Sequence, residues 1–260
     1  MLIDSHCHLD LLPEEERDAI LDRAEQAGLS GLVTIGTRLS RAAVNIGLTA
    51  LSRPTLDVWC TIGTHPDNAH TEDQDADGLA SLAASAPGVI GIGESGLDYF
   101  HGAPDVRPAQ QRSFRAHIAA ARETGLPLVI HARAADEDMI AMLERAHAED
   151  GSFPFLLHCF SSGAALAECG VRLGGYVSFS GILTFPKSDE LRAIARAVPE
   201  DRLLVETDAP YLAPVPVRGK QNEPGFVAHT ARRLAEERGV AAERLAEITT
   251  GNFRRLFKVG

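Results

Sequence analysis

Eight short apolar runs, each followed by a stretch of helical character, constrain this chain more than any other feature. They are Leu2–His6, Gly31–Gly36, Leu56–Gly63, Gly88–Gly93, Pro127–His131, Pro154–His158, Gly175–Phe179 and Arg202–Glu206. Most are near-continuous in apolar residues, as in Val89-Ile-Gly-Ile-Gly93. An alternating pattern suits a strand with one wet face, whereas a continuous one suits a parallel strand covered on both sides. The intervening stretches carry helix signals. Pro13 precedes Glu14, Glu15 and Glu16, acids that complement a helix dipole at its start, and Gly28 closes that segment. Gln110–Thr124 ends at Gly125, and Met139, Ile140, Met142, Leu143 and Ala146 recur at helical spacing. Eight βα units in 260 residues predict an α/β fold of the TIM (β/α)8 barrel type, with an open doubly wound sheet as the alternative. Ala242–Phe257 reads as an extra or eighth-unit helix. No linker interrupts the pattern, so residues 1–260 are expected to form one domain.

The formal charge of −11 argues against a surface that coats nucleic acid broadly, although bound divalent ions can supply positive charge locally. Neither a basic leader followed by an apolar stretch nor an apolar run approaching ~18 residues is present. Cys7, Cys60, Cys159 and Cys169 have neither CxxC nor zinc-finger spacing and read as apolar fillers in a reducing compartment. A cytoplasmic monomer with no membrane association is expected.

In a (β/α)8 barrel, chemistry gathers at the C-terminal ends of the strands. The residues that end the apolar runs therefore matter most. The first run gives His6 and His8, which share a strand face because alternate side chains point the same way, while Cys7 points to the other. The fourth run ends in Glu94, the fifth in His131, the sixth in His158 and the eighth leads to Asp208. Four imidazoles and two carboxylates on one rim predict a metal site. Nitrogen and oxygen donors without thiolate suit Mg, Mn, Zn, Fe or Co. Six ligands exceed one tetrahedral site, so two divalent ions are expected, ~3.5–4 Å apart with Glu94 bridging. Lys187, Lys220 and Lys258 are the only lysines and none ends a central strand, which disfavours a carbamylated-lysine bridge.

Several segments resemble the TatD family of metal-dependent deoxyribonucleases from end to end. They include Asp4-Ser-His-Cys-His-Leu-Asp10, Gly63-Thr-His-Pro66, Gly93-Glu-Ser-Gly-Leu-Asp-Tyr99, His158-Cys-Phe160 and Glu206-Thr-Asp-Ala-Pro-Tyr-Leu212. Arg218-Gly219, Asn222-Glu-Pro224 and Thr250-Gly-Asn-Phe-Arg-Arg-Leu-Phe257 match as well. The resemblance implies one ion held by His6, His8, Glu94 and Asp208 and another by Glu94, His131 and His158. It also implies hydrolysis of DNA phosphodiesters, often from an end. Three positions depart from the family pattern: Ser95 replaces an apolar residue, Asp67 a histidine and Gly251 an acid.

On this reading a metal-bridging hydroxide attacks phosphorus, and Asp208 accepts the proton and orients the attack. Glu206 is either a partner behind the ligands or the base. His65 is a candidate donor to a phosphate oxygen, or else a histidine held by a backbone carbonyl. Arg133 and Arg218 are candidate phosphate clamps, or else solvated surface arginines. Tyr99 and Tyr211 are candidate platforms for bases, or else tyrosines packed on loops. Metal-activated water also attacks carbonyl carbon, so the rival substrates are amides, lactones or esters such as D-aminoacyl-tRNA. A non-catalytic scaffold on a degenerate barrel is the rival from another class, and the presence of all six ligand-type residues speaks against it.

Overall fold

A computed structural model describes residues 1–72 and 75–260. Its eight strands are β1 (Leu2–Cys7), β2 (Leu29–Thr34), β3 (Asp57–Ile62), β4 (Val89–Asp98), β5 (Leu128–Arg133), β6 (Phe155–Leu157), β7 (Tyr176–Phe179) and β8 (Leu203–Val205). They pair in sequence order, every neighbour parallel. A bridge between Cys7 and Ala209 brings the last strand back to the first, with Asp208 N–H donating to His6 O (2.9 Å) and His8 N–H to Ala209 O (2.7 Å). The sheet is thus a (β/α)8 barrel, and the open alternative is excluded.

Helices separate the strands: α1 (Arg17–Gln26), α2 (Ala42–Leu48), α3 (Ala76–Ala83), α4 (Arg107–Thr124), α5 (Asp136–Asp150), α6 (Ala164–Arg172), α7 (Asp189–Ala197) and α8 (Val227–Arg238). The acids Glu14–Glu16 form a short 3-10 turn ahead of α1 instead of its first turn. Gly125 ends α4 in the left-handed conformation that glycine adopts without a steric penalty.

Among the described residues a ninth helix, α9 (Ala242–Phe257), is additional to the eight units and plugs the bottom of the barrel. Its Phe253, Leu256 and Phe257 cluster with the barrel-lining residues Ile3, Val33, Ile90, Val129, Leu156 and Leu204. Asn252 fastens α9 beneath β8 by donating to Glu200 O (2.8 Å) and Leu203 O (2.9 Å). The apolar end is therefore sealed, and polar side chains collect at the other.

Strand lengths differ from the expected runs mainly at β4, which continues to Asp98. Its pairing with β5 persists from Ser95 opposite Ile130 to Asp98 opposite Arg133. Gly96 makes this possible: it has φ +149°, and a Cβ there would lie 2.0 Å from His131 O. The four thiols are free; Cys7, Cys60 and Cys169 are buried and Cys159 is half-buried. No helix among the described residues is long and apolar enough to cross a membrane.

Candidate metal centre and active site

Register shifts in β1, including one between Asp4 and Cys7, re-aim its last residues. Ile3 lines the barrel and Cys7 joins the outer core, yet His6 and His8 turn their rings into the barrel mouth. Asp4 anchors this segment. Completely buried, it accepts Thr207 N–H (2.8 Å) and Thr207 Oγ1–H (2.5 Å), which holds the Glu206–Asp208 stretch against β1.

The two oxygens of Glu94 face two groups of imidazoles. Oε2 lies 3.3 Å from His6 Nε2 and 4.0 Å from His8 Nε2. Asp208 Oδ1 completes that group at 3.5 Å from His6 Nε2 and 3.4 Å from His8 Nε2. Oε1 lies 3.0 Å from His158 Nε2, 3.1 Å from His131 Nδ1 and 3.4 Å from His65 Nε2. All six residues expected at the rim thus converge, and His65 joins them.

These separations are what cation ligands need. Four donors about 2.1 Å from a common centre stand roughly 3.4 Å apart. His6 Nε2 and His8 Nε2 are 3.3 Å apart, as are His131 Nδ1 and His158 Nε2. Facing ring nitrogens this close require a shared proton or a cation. Glu94 Oε2 is buried without a hydrogen-bond partner, as are the Nδ1 atoms of His6 and His8. The donor set therefore fits divalent metal ions.

Partners behind His131 and His158 decide which nitrogen of those two rings faces the cluster. Burial disfavours ionisation of Asp98, but hydrogen bonds from His131 and His101 outweigh it and hold the carboxyl well below its ordinary range. As a carboxylate it can only accept, so His131 carries its proton on Nε2, 3.2 Å from Asp98 Oδ2. A cation beside Glu94 would then be met by the Nδ1 lone pair. Glu206 stands behind His158 in the same way, with Oε1 3.3 Å from His158 Nδ1 and 2.8 Å from the Cys159 N–H. His6, His158 and Glu206 also bring ligand-type atoms near one another; Glu206 Oε1 is engaged by His158 and Cys159, while its Oε2 is buried without a hydrogen-bond partner. Asp98→Asn should weaken divalent-metal binding about 10–100-fold by freeing the His131 ring. Calorimetric titration checks this, and unchanged affinity would show that packing alone fixes the ring.

His65 differs from the other imidazoles. Burial pushes its pKa down to about 4, so the ring is neutral. Its Nδ1 accepts the Asp67 N–H at 3.1 Å, which leaves the proton on Nε2, the atom that faces Glu94. Although His65, Glu94 and His131 lie close enough to share an ion, a protonated nitrogen has no lone pair to give. The ring is therefore a donor into the site, held by the backbone of Asp67 and not by a carbonyl.

The loop that carries His65 is pinned from α4. His117, fully buried, accepts the Thr64 N–H on Nε2 (3.0 Å), with Ser113 O 2.7 Å from its Nδ1. Burial pushes its pKa from 6.5 down to about 4. The depressed value means that the unfolded chain takes up the proton first as pH falls. Stability from the neutral ring is complete above pH 6.5 and is lost progressively towards about pH 4, on the order of 3 kcal/mol in total. His117→Gln keeps a donor and an acceptor but does not titrate. Its urea midpoint should fall less than that of the wild type over this range; parallel curves would exclude His117 as the cause.

These groups open into a cleft of about 1560 Å³. Arg133 lines it, with its guanidinium 4.5 Å from the Phe100 ring centroid. Arg218 is set back behind the cleft-lining Phe185, 4.4 Å from that ring, and does not reach the cluster. Of the departures from the family pattern, Asp67 lines the cleft, Ser95 Oγ is buried without a partner and Gly251 faces open space.

Comparisons with known proteins agree on one family. The family described as TatD related DNase matches residues 3–258. The uncharacterized metal-dependent hydrolase YcfH of Escherichia coli K12 is 41% identical over 262 residues, covering 99% of this chain and 96% of that protein. The 3′-5′ ssDNA/RNA exonuclease TatD of Pectobacterium parmentieri is 35% identical and covers 95% of each. Among solved structures, the TatD homologue YjjV of Escherichia coli superposes with a TM-score of 0.87 at 27% identity, covering 100% of this chain and 98% of that one. The chain belongs to the TatD family of metal-dependent hydrolases.

Proposed function

We propose that this hydrolase cleaves phosphodiester bonds of DNA and that its cleft holds two divalent ions, Mg, Mn or Zn. The observation that carries the reading is the division of Glu94, one oxygen towards His6 and His8 and the other towards His131 and His158. His6, His8, Asp208 and Glu94 would hold one ion; Glu94, His131 and His158 the other. Such a pair supplies Lewis-acid activation of water and neutralises charge on a phosphoryl group.

The protein's own groups supply the rest. Asp208 is partly open to the cleft and accepts the proton of the attacking water. His65 donates Nε2–H to a phosphoryl oxygen, which needs no change of protonation state. Glu206 holds the His158 ring from behind, a positioning role, and is not the base. Arg133 clamps a phosphate from the cleft wall; Arg218 acts one layer further out, through Phe185.

A nucleic-acid substrate is supported by the exonuclease among the relatives. One observation favours hydrolysis of a carbonyl ester such as D-aminoacyl-tRNA instead. Asp136, Glu137 and Asp138 line the cleft and suit an ammonium group better than a phosphate. Protein stripped by chelation and reloaded with Mg or Mn decides between them. Release of nucleotides from single-stranded DNA is expected; deacylation of D-aminoacyl-tRNA without nucleotide release would overturn the phosphodiester reading.

A further inference from the structure

The two tyrosines of the rim are built for different purposes. The Tyr99 hydroxyl donates to Asp138 Oδ2 (2.6 Å) and accepts from Gln111 Nε2 (3.0 Å), and the Arg107 guanidinium covers its ring at 4.3 Å. Every part of that side chain is engaged in holding the wall. Tyr211 is the reverse. It lines the cleft, is 54% exposed, and no hydrogen bond among the described residues involves its hydroxyl. Its ring stands edge-on to His8, the centroids 6.2 Å apart.

The backbone beneath Tyr211 is tightly fixed, so the exposure is not that of a loose loop. Tyr211 N–H donates to Asp208 O (2.9 Å), and the completely buried Asn222 donates from Nδ2 to Tyr211 O (2.5 Å) and Thr207 O (2.9 Å). Leu212 follows at φ +58°, and Gly181 approaches its carbonyl so closely that a Cβ would lie 2.1 Å from Leu212 O. A large aromatic ring is thereby displayed rigidly to water, at a cost in apolar exposure that the fold does not need. Leu11, Ile182, Phe185 and Leu212, from the loops after β1, β7 and β8, extend the shelf around it. The acids Asp136, Glu137 and Asp138 come from beyond β5, half-way round the barrel. The shelf side of the cleft is mostly apolar and carries one acid, Glu190, whereas the other side carries Asp136, Glu137 and Asp138 beside Arg107 and Arg133.

We infer that Tyr211 is a specificity-determining residue that stacks on the nucleobase attached next to the scissile phosphate. The inference rests on the phosphodiester reading and deepens it by naming the group recognised. A base on this ring lies within one nucleotide of His8, and stacking is tolerant of base identity because every base has a π-face. On the opposite wall the Tyr99 ring is covered by the Arg107 guanidinium, and Arg133 is the group there that would meet a phosphate.

The test compares wild type, Tyr211→Phe and Tyr211→Ala, all reloaded with Mn. The substrates are a thymidine dinucleotide and an analogue of it that lacks both bases. Tyr211→Phe should stay within about twofold on both, since the ring and not the hydroxyl makes the contact. Tyr211→Ala should lose about 10–100-fold in kcat/KM on the dinucleotide, mostly in KM, and less than about twofold on the abasic analogue. Because Asn222 holds the backbone independently of the ring, the melting temperature should not move. Equal losses on both substrates, or no loss on either, would overturn the platform while leaving the phosphodiester reading intact. Wild-type inactivity on both would overturn that reading and the platform with it.

Discussion

Glu94→Gln is expected to lower kcat/KM on single-stranded DNA by at least about 10³-fold with the fold retained. The carboxylate is 2% exposed and meets imidazoles on both oxygens. Burial opposes its ionisation, yet His158, His65 and His131 together hold its pKa well below the ordinary value. The amide of glutamine is the same size but removes the charge and turns one side into a donor. An NH₂ group aimed at His6, or at His131 and His158, would compete for the lone pairs that hold cations. Metal content after dialysis, measured by elemental analysis, should drop below one ion per chain. A variant that kept both its metal and its rate within tenfold would refute the shared-carboxylate arrangement.

Asp208→Asn should abolish turnover by about 10²–10⁴-fold while changing stability little. Asp208 sits at φ +58°, a left-handed conformation that asparagine tolerates at least as well as aspartate. Its N–H bond to His6 O does not depend on the side chain. What asparagine lacks is the ability to take a proton and the negative charge beside His6 and His8. Burial opposes ionisation of Asp208, but the hydrogen bond from His8 and the nearby imidazoles outweigh it and lower its pKa. The rate in single-turnover experiments with saturating Mn separates the two losses. Recovery of rate at high Mn would mean that Asp208 serves only to bind metal; a persistent deficit assigns it the proton.

The barrel and the convergence of six polar residues were legible in the sequence for one reason. Parallel strands in a closed barrel all point the same way, so whatever ends each apolar run arrives at the same rim. His6, Glu94, His131 and Asp208 could be placed together without knowing any contact between them. Asp98 could not, because the run before it ends at the glycines and only pairing with β5 carries the strand on to reach His131. His117 was hidden for a similar reason. It reads as one residue of an amphipathic helix, and its bond to Thr64 joins positions 53 apart. His65 was seen, but its proton was not, since the tautomer is set by a backbone N–H two residues on. The contrast between Tyr99 and Tyr211 depends on what covers each ring, which no spacing records.

The seam of the barrel has a consequence of its own. His6 and His8 belong to the first strand and Asp208 to the stretch leaving the last, so this ligand set straddles the line along which the sheet closes on itself. An ion bound there would act as a clasp between the two ends of the barrel wall. Opening the wall and releasing the ion would then be one event, so the contact proposed to prepare the chemistry would also lock the cylinder shut.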